Sequence, residues 1–422
     1  MLTPAPTPGD TAWFVQDRFG TFIHWGLYAA AARHEWVQNR EEIPEEKYRK
    51  YFDHFDPDQY DPKAWARAAR EAGMKYFVIT TKHHEGFCLW DSKFTEWKAP
   101  NTPCGKDLLR PMVEAFRAEG LKVGFYYSLI DWHHPDFPID VFHPLRNRPE
   151  AAELNKSRDI RRYADYMRNQ VRELLTDFGK IDIIWFDFSY PTSEYKGLPG
   201  KGHKDWESEA LLNMVRELQP HIIVDNRLDL PAENADIHTP EQFQPREWVH
   251  VDGKPVVWEA CQTFSGSWGY HRDETSWKSA EQLIRMLVST VATGGNLLMN
   301  VGPTARGTID QRALDALKVY GDWMKLHAPA IYGCTQSEFP APPDCRFTQR
   351  GGRLYVHIFA WPFEQLHLDG FAGRVEYAQL LNDASEVRFA EKEGTLTLRL
   401  PVRKPDVVVP VVELFLREGA GA

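Results

Sequence analysis

Lys180-Ile-Asp-Ile-Ile-Trp-Phe-Asp-Phe-Ser-Tyr190 is the stretch on which the fold turns. It begins as an apolar run and ends on an acid. Ile181, Ile183 and Ile184 are β-branched and suit a pleated, buried strand. An amphipathic run over residues 158–177 precedes it, the pattern of a helix feeding a parallel strand. Asp187 falls where that strand should finish. In α/β barrels and open α/β sheets, chemistry gathers at the carboxyl ends of strands. Asp187 is therefore a candidate nucleophile. On this stretch alone a helix cap or a loop acid is an equal reading.

The same unit repeats on both sides. Strands are expected over residues 18–26, 76–81, 121–127, 221–227, 256–260 and 296–301, and helices over 61–73, 107–120, 206–218, 280–292 and 309–326. Alternation of this length means a parallel sheet. Polar residues at so many strand tips favour a barrel, which points every tip at one mouth. The eighth strand is not evident. Residues 28–60 show no clean period and are expected to form a long loop, and residues 228–255 a loop with no full helix. After Gly333 the pattern becomes short alternating runs (353–359, 395–400, 407–415), an antiparallel β module. The expected division is a catalytic barrel at 1–334 and a β-sandwich at 335–422.

The chain has 422 residues, 43% of them hydrophobic and 26% charged, with 15 Trp. That is a globular composition large enough for a catalytic domain and a smaller module. A net charge of −10 without a basic stripe argues against nucleic acid as a partner. No apolar run is long enough to span a membrane. Five cysteines without paired spacing read as free thiols in a reducing compartment. The first ten residues have neither a basic nor an apolar signal region, so a cytoplasmic protein is expected. There is no Gly-x-Gly-x-x-Gly after the first strand and no Walker loop, which weakens nucleotide readings.

The strand tips collect His24, Trp25, His83, His84, Glu85, Tyr126, Tyr127, Asp187 and Arg227, and the loops add Glu35, Trp36, Glu241, Glu259 and Trp268. Histidines, aromatics, an arginine and several carboxylates suit a polyhydroxylated ligand, because a neutral imidazole offers one donor and one acceptor. His24, His83 and His84 could instead hold a metal. Adjacent strand positions point to opposite faces, however, unless the pair lies in a turn, and no third ligand stands at diagnostic spacing. The expectation is no metal and no cofactor. Glycoside hydrolysis needs two carboxylates, one that attacks and one that protonates the departing oxygen. Asp187 fits the first. Glu241, Glu259 and Glu35 compete for the second; a loop acid approaches from the leaving-group side, which favours Glu241 and keeps Glu259 in reserve. A non-catalytic sugar-binding protein on the same barrel is the rival reading.

Nine segments, taken in order, resemble the α-L-fucosidases of glycoside hydrolase family 29. They are Phe19-Gly-Thr-Phe-Ile-His-Trp-Gly26, Glu35-Trp36, Lys82-His-His-Glu-Gly-Phe-Cys-Leu-Trp-Asp91, Tyr126-Tyr-Ser128 with Asp131-Trp132, Trp185-Phe-Asp187, Asp225-Asn-Arg227, Thr239-Pro-Glu241, Ser267-Trp-Gly-Tyr270 and Gly295-Asn-Leu-Leu-Met-Asn-Val-Gly-Pro303. The resemblance implies an irregular (β/α) TIM-like barrel carrying a C-terminal antiparallel β-sandwich. It also implies a retaining, metal-free, exo-acting hydrolase of terminal fucose on glycans. By the same resemblance Asp187 is the nucleophile, Glu241 the acid/base, and His24, Glu35, Trp36, His83, His84, Tyr126, Trp185, Arg227 and Trp268 the fucose-binding set. The partner is then a fucosylated oligosaccharide or glycoconjugate, with no nucleic acid and no membrane; an oligomer is allowed.

Overall fold

The computed structural model describes residues 3–417. Seven parallel strands form one curled sheet: β1 Phe19–Ile23, β2 Tyr76–Lys82, β3 Lys122–Ser128, β4 Ile183–Asp187, β5 Ile223–Val224, β6 Glu259–Thr263 and β7 Asn296–Val301. Their order in the sheet is β6-β7-β1-β2-β3-β4-β5. Strand alternation sorts the side chains into two cores. Phe22, Tyr126, Ile183, Trp185 and Leu298 pack together inside the curl. Phe125, Tyr127, Ile184 and Phe186 face the opposite way, into the core shared with the surrounding helices.

The two free edges of the sheet are joined by residues 237–241. Isolated parallel bridges link Asp225 to Ile237, His238 to Trp258 and Glu241 to Cys261. This is the stave that the sequence does not reveal. Pro240 has no amide proton to give a ladder, and Gln242 turns out of it at φ 61°. Hence Glu241 stands at the end of an irregular stave and not in a free loop.

Helices follow the strands as the periodicity predicts: α1 Pro62–Glu71, α2 Leu109–Ala118, α3 Ile160–Asp177, α4 Ser208–Leu218, α5 Ala280–Ala292 and α6 Gln311–His327. Asp61 caps α1 by accepting from the Ala64 amide at 3.0 Å, with Pro62 at the first helical position. Three expectations are corrected. Residues 28–60 are not one loop but hold helices at Tyr28–Ala31, Val37–Arg40 and Glu45–Asp53. The last of these buries only Tyr48 and Phe52, too narrow a stripe to show as a period. The sixth strand begins at Glu259, not at residue 256, and runs on through Cys261, Gln262 and Thr263, whose polarity reads as loop although all three are buried. The fifth strand is cut to two residues because Asp225 leaves the ladder to meet Ile237.

The C-terminal part is two antiparallel sheets. The first comprises β8 Thr335–Gln336, β9 Cys345–Arg350, β10 Arg353–Ile358, β12 Val375–Leu380 and β15 Val411–Leu416, in the order β8-β9-β10-β15-β12. The second comprises β11 Gln365–Asp369, β13 Phe389–Lys392 and β14 Thr395–Arg399, in the order β11-β14-β13. Phe347, Leu354 and Val356 from the first meet Leu368, Leu396 and Leu398 from the second in one core, which makes a sandwich. The expected spans reach residues 1–2 and 418–422, which lie outside the described residues. The sandwich docks on the barrel helices. Trp323 Nε1 donates to the Val409 carbonyl at 3.0 Å, and Tyr355, Val409 and Val411 join the barrel's outer core.

Candidate active site

A cavity opens at the carboxyl ends of the strands, with about 340 Å³ of empty space between its walls, open solvent included. Fourteen residues line it: Phe22, His24, Glu35, Trp36, His83, His84, Tyr126, Trp185, Asp187, Phe188, Arg227, Glu241, Cys261 and Trp268. Every residue expected to bind the sugar is among them, together with Asp187 and Glu241.

Asp187 ends β4 and is fully engaged. Its Oδ2 accepts from the Tyr126 hydroxyl at 2.7 Å, and its Oδ1 accepts from Arg227 Nη1 at 2.7 Å. Arg227 Nη2 donates to Glu241 Oε2, also at 2.7 Å, so one guanidinium spans both acids. The same side chain donates from Nε to the Thr239 hydroxyl at 3.0 Å and lies 4.4 Å over the Trp185 ring. Burial opposes its charge, but Asp187 and Glu241 outweigh that cost and hold it firmly protonated. Asn226 fixes the stave: its Oδ1 accepts from both the amide and the hydroxyl of Thr239, at 3.1 Å each.

The imidazoles are neutral. Burial depresses His24 to about 3, against its hydrogen bond to Asn300, and depresses His84 to about 3, helped by the nearby Lys82 and Arg227. His83 is driven well below its ordinary value by burial, then by His84 and His24. His24 Nδ1 pairs with Asn300 Oδ1 at 2.6 Å and His84 Nδ1 with Ser128 Oγ at 2.6 Å, so in each ring Nε2 is left for a ligand. His83 Nδ1 is buried without a partner. His83 and His84 follow β2 in a turn, with ring centroids 4.0 Å apart, and both face the cavity. Glu35 Oε2 accepts from the Gly269 amide at 2.8 Å, tying the first loop to the one that carries Trp268, and burial raises its pKa. Among the described residues, no three His, Cys, Asp or Glu side chains are grouped to hold a metal.

Four residues read as mouth residues do not line the cavity. Trp25 is buried against Tyr60 and Trp65. Tyr127 points outward and donates to Gln170 at 2.8 Å. Glu85 is buried beneath the first loop, accepting from Tyr48 at 2.5 Å and from the Leu27 amide at 2.9 Å, and burial pushes it up to about 8. Glu259 stands at the start of β6, at the other end of the strand from the mouth. It accepts from Tyr76 at 2.5 Å and is lifted by burial to about 7. The structure therefore gives Glu259 a structural place, and of the three candidates for the second acid only Glu241 touches the Asp187–Arg227 pair.

Phe22, Phe188 and Cys261 line the cavity without having been singled out. Phe22 sits in an apolar strand and reads as ordinary core. Phe188 carries a φ of 84°, a left-handed conformation that costs a bulky residue on the order of 1–3 kcal/mol. Nothing in the sequence signals it.

A family model described as Alpha-L-fucosidase matches residues 7–329. The solved α-L-fucosidase isoenzyme 1 from Paenibacillus thiaminolyticus is 47% identical, with a TM-score of 0.91 over 97% of this chain and 99% of that one. A Bacteroides thetaiotaomicron GH29 α-L-fucosidase, trapped as a covalent intermediate with 2-fluoro-fucosyl fluoride, is 28% identical, with a TM-score of 0.85 over 99% of this chain and 98% of that one. The curated α-L-fucosidase of Dictyostelium discoideum is 29% identical over 98% of this chain and 93% of its own. With the model covering the whole barrel, cavity included, this chain belongs to the α-L-fucosidase family, glycoside hydrolase family 29.

Proposed function

We propose that this α-L-fucosidase is exo-acting and retaining, with Asp187 as nucleophile and Glu241 as acid/base. The carrying observation is the single Arg227 guanidinium that spans both carboxylates at 2.7 Å, at the mouth of the cavity. Exo action is supported by the closed base: His24, His83, Tyr126 and Trp185 are each at most 5% exposed.

In the first step the Asp187 carboxylate attacks the anomeric carbon, and the bond to the departing oxygen breaks while Glu241 gives that oxygen its proton. An ester joins the sugar to Asp187. In the second step Glu241 takes a proton from water, the water oxygen displaces Asp187, and fucose leaves with its configuration retained. Neutral His24, His83 and His84 and the buried Glu35 meet the hydroxyls. Phe22, Tyr126, Trp185 and Trp268 supply the apolar wall that the C6 methyl requires. The trapped covalent intermediate of the Bacteroides relative supports the two-step course.

Asp187→Gly should lower kcat on an aryl α-L-fucoside by at least about 1,000-fold, and azide should restore part of it. Near wild-type turnover in that variant rejects the nucleophile. Glu241→Ala should lose far more on a poor leaving group than on a good one. Equal losses on both would remove Glu241 from the acid/base role.

A further inference from the structure

The rings around the cavity form two groups. One belongs to the barrel interior: Phe22 to Trp185 at 5.3 Å, Tyr126 to Trp185 at 5.8 Å and Phe22 to Trp268 at 6.0 Å. The other belongs to the outer core: Trp36 to Phe188 at 5.2 Å, Phe188 to Phe142 at 5.2 Å and Trp36 to Trp132 at 5.4 Å. Among the described residues the two groups meet only through histidines. His83 lies 5.6 Å from Tyr126, and His84 lies 4.9 Å from Trp36 and 5.2 Å from Phe188. Asp187 stands between the groups, bonded to Tyr126 on one side and followed in the chain by Phe188 on the other.

In the second group Trp36 belongs to the expected fucose-binding set, whereas Phe188 lines the cavity without such an assignment. The group's two cavity-lining rings, Trp36 and Phe188, are only half-buried, and the mouth acid Glu241 is exposed, its side chain 39% accessible. The base of the cavity is closed, so whatever departs from the sugar passes these rings. Phe188 is also held at φ 84°, where a glycine would sit without strain. A bulky ring kept in such a conformation beside the nucleophile points to use rather than filling. Phe142 at 5.2 Å and Tyr190 at 5.4 Å back the ring, so it cannot swing away from the mouth.

We propose that Phe188 forms the platform for the leaving sugar, a neutral pyranose whose C–H face stacks on its ring while Glu241 protonates the departing oxygen. This deepens the two-acid reading above and rests on it. It makes Phe188 a specificity-determining residue for the group next to fucose.

The test compares two substrates. α-L-Fucosyl fluoride has no ring on the leaving side and departs without a proton. The second substrate is fucosyl-α1,2-galactose or fucosyl-α1,3-N-acetylglucosamine, whichever the wild type cleaves faster. Phe188→Gly should lower the ratio of kcat/KM, disaccharide over fluoride, by at least tenfold, chiefly through KM for the disaccharide. Phe188→Leu, which keeps bulk without a flat face, should do the same should the glycine variant misfold. Phe188→Tyr should hold the ratio within twofold. Equal losses on both substrates would make Phe188 a positioning residue for Asp187 and overturn the platform. An unchanged ratio in both the glycine and leucine variants overturns it as mere packing. A wild type that cleaves neither substrate sinks the two-acid reading, and the platform with it.

Discussion

Arg227 donates from Nη1 to Asp187 and from Nη2 to Glu241, while its Nε is held by Thr239. A lysine keeps the charge but has one nitrogen, and it cannot hold two carboxylates in a fixed relation. Arg227→Lys should therefore lower kcat/KM on an aryl α-L-fucoside by about 100-fold, about 2.7 kcal/mol of transition-state stabilisation. Steady-state kinetics checks it, and a loss under threefold would show that the fork does not organise the acids. At this scale the sequence was informative where a residue's chemistry is rare in its setting. An acid closing an isoleucine strand, paired histidines and an Asn-Arg after a strand are unusual enough to stand out, and Asp187, His83, His84 and Arg227 all reach the cavity. It misled where only position spoke. Tyr127 and Tyr126 look alike in the chain, yet strand alternation turns one inward and the other toward the helices. Glu85 sits among pocket residues and still folds under the loop. Phe188 needed a dihedral angle, which no residue pattern supplies.

The element that carries Glu241 is the least regular stave of the barrel. Pro240 breaks its ladder, so residues 237–241 are held by isolated bridges and by Asn226. That is also why the barrel's other strands were legible and this one was not. Runs such as Tyr76–Lys82 and Asn296–Val301 bury every residue and are mostly β-branched or apolar, whereas a stave held by isolated bridges and a few side chains has no period to read. The short sixth strand was displaced for the same reason, its polar half being stabilised by neighbours and not by its own apolarity. It follows that Asn226 acts on the reaction through Glu241. Asn226→Ala leaves the Thr239 amide and hydroxyl without their acceptor and frees the stave to shift. Turnover of a fucosyl disaccharide, which needs the proton, should fall about tenfold. Turnover of fucosyl fluoride, which does not, should fall much less. A variant that slows both substrates alike would mean that Asn226 supports the barrel and has no specific hold on the acid.

Across the molecule, nine histidines are pulled below their ordinary value, with burial the first cause in each. Some line the cavity. Others sit at the seam with the sandwich, where His327 at about 4 stacks 4.6 Å from Trp323, and His357 at about 3 lies 6.2 Å from it. For these groups the unfolded chain binds more protons than the folded one between pH 6.5 and about 3. Their contribution is whole above pH 6.5 and is lost as pH falls, by up to ~1.4 kcal/mol per pH unit for each fully buried ring. Six carboxyl groups, raised by burial, work the other way. Glu259 at about 7 and Glu85 at about 8 favour the folded state while protonated, and that contribution is lost as pH rises through those values. Below pH 6.5 the histidines outnumber the carboxyls, and above it only the carboxyls still change. Stability should therefore peak near pH 6.5, falling on both sides. Because the sensitive rings occupy both the cavity and the seam, acid should loosen barrel and sandwich together in one transition. Calorimetric melting from pH 4.5 to 8.5 measures this, and Glu85→Gln, which cannot ionise, should flatten the alkaline side while leaving the acid side in place. A melting temperature that climbs steadily toward pH 5, or an alkaline fall that survives Glu85→Gln undiminished, contradicts the assignment of these buried groups.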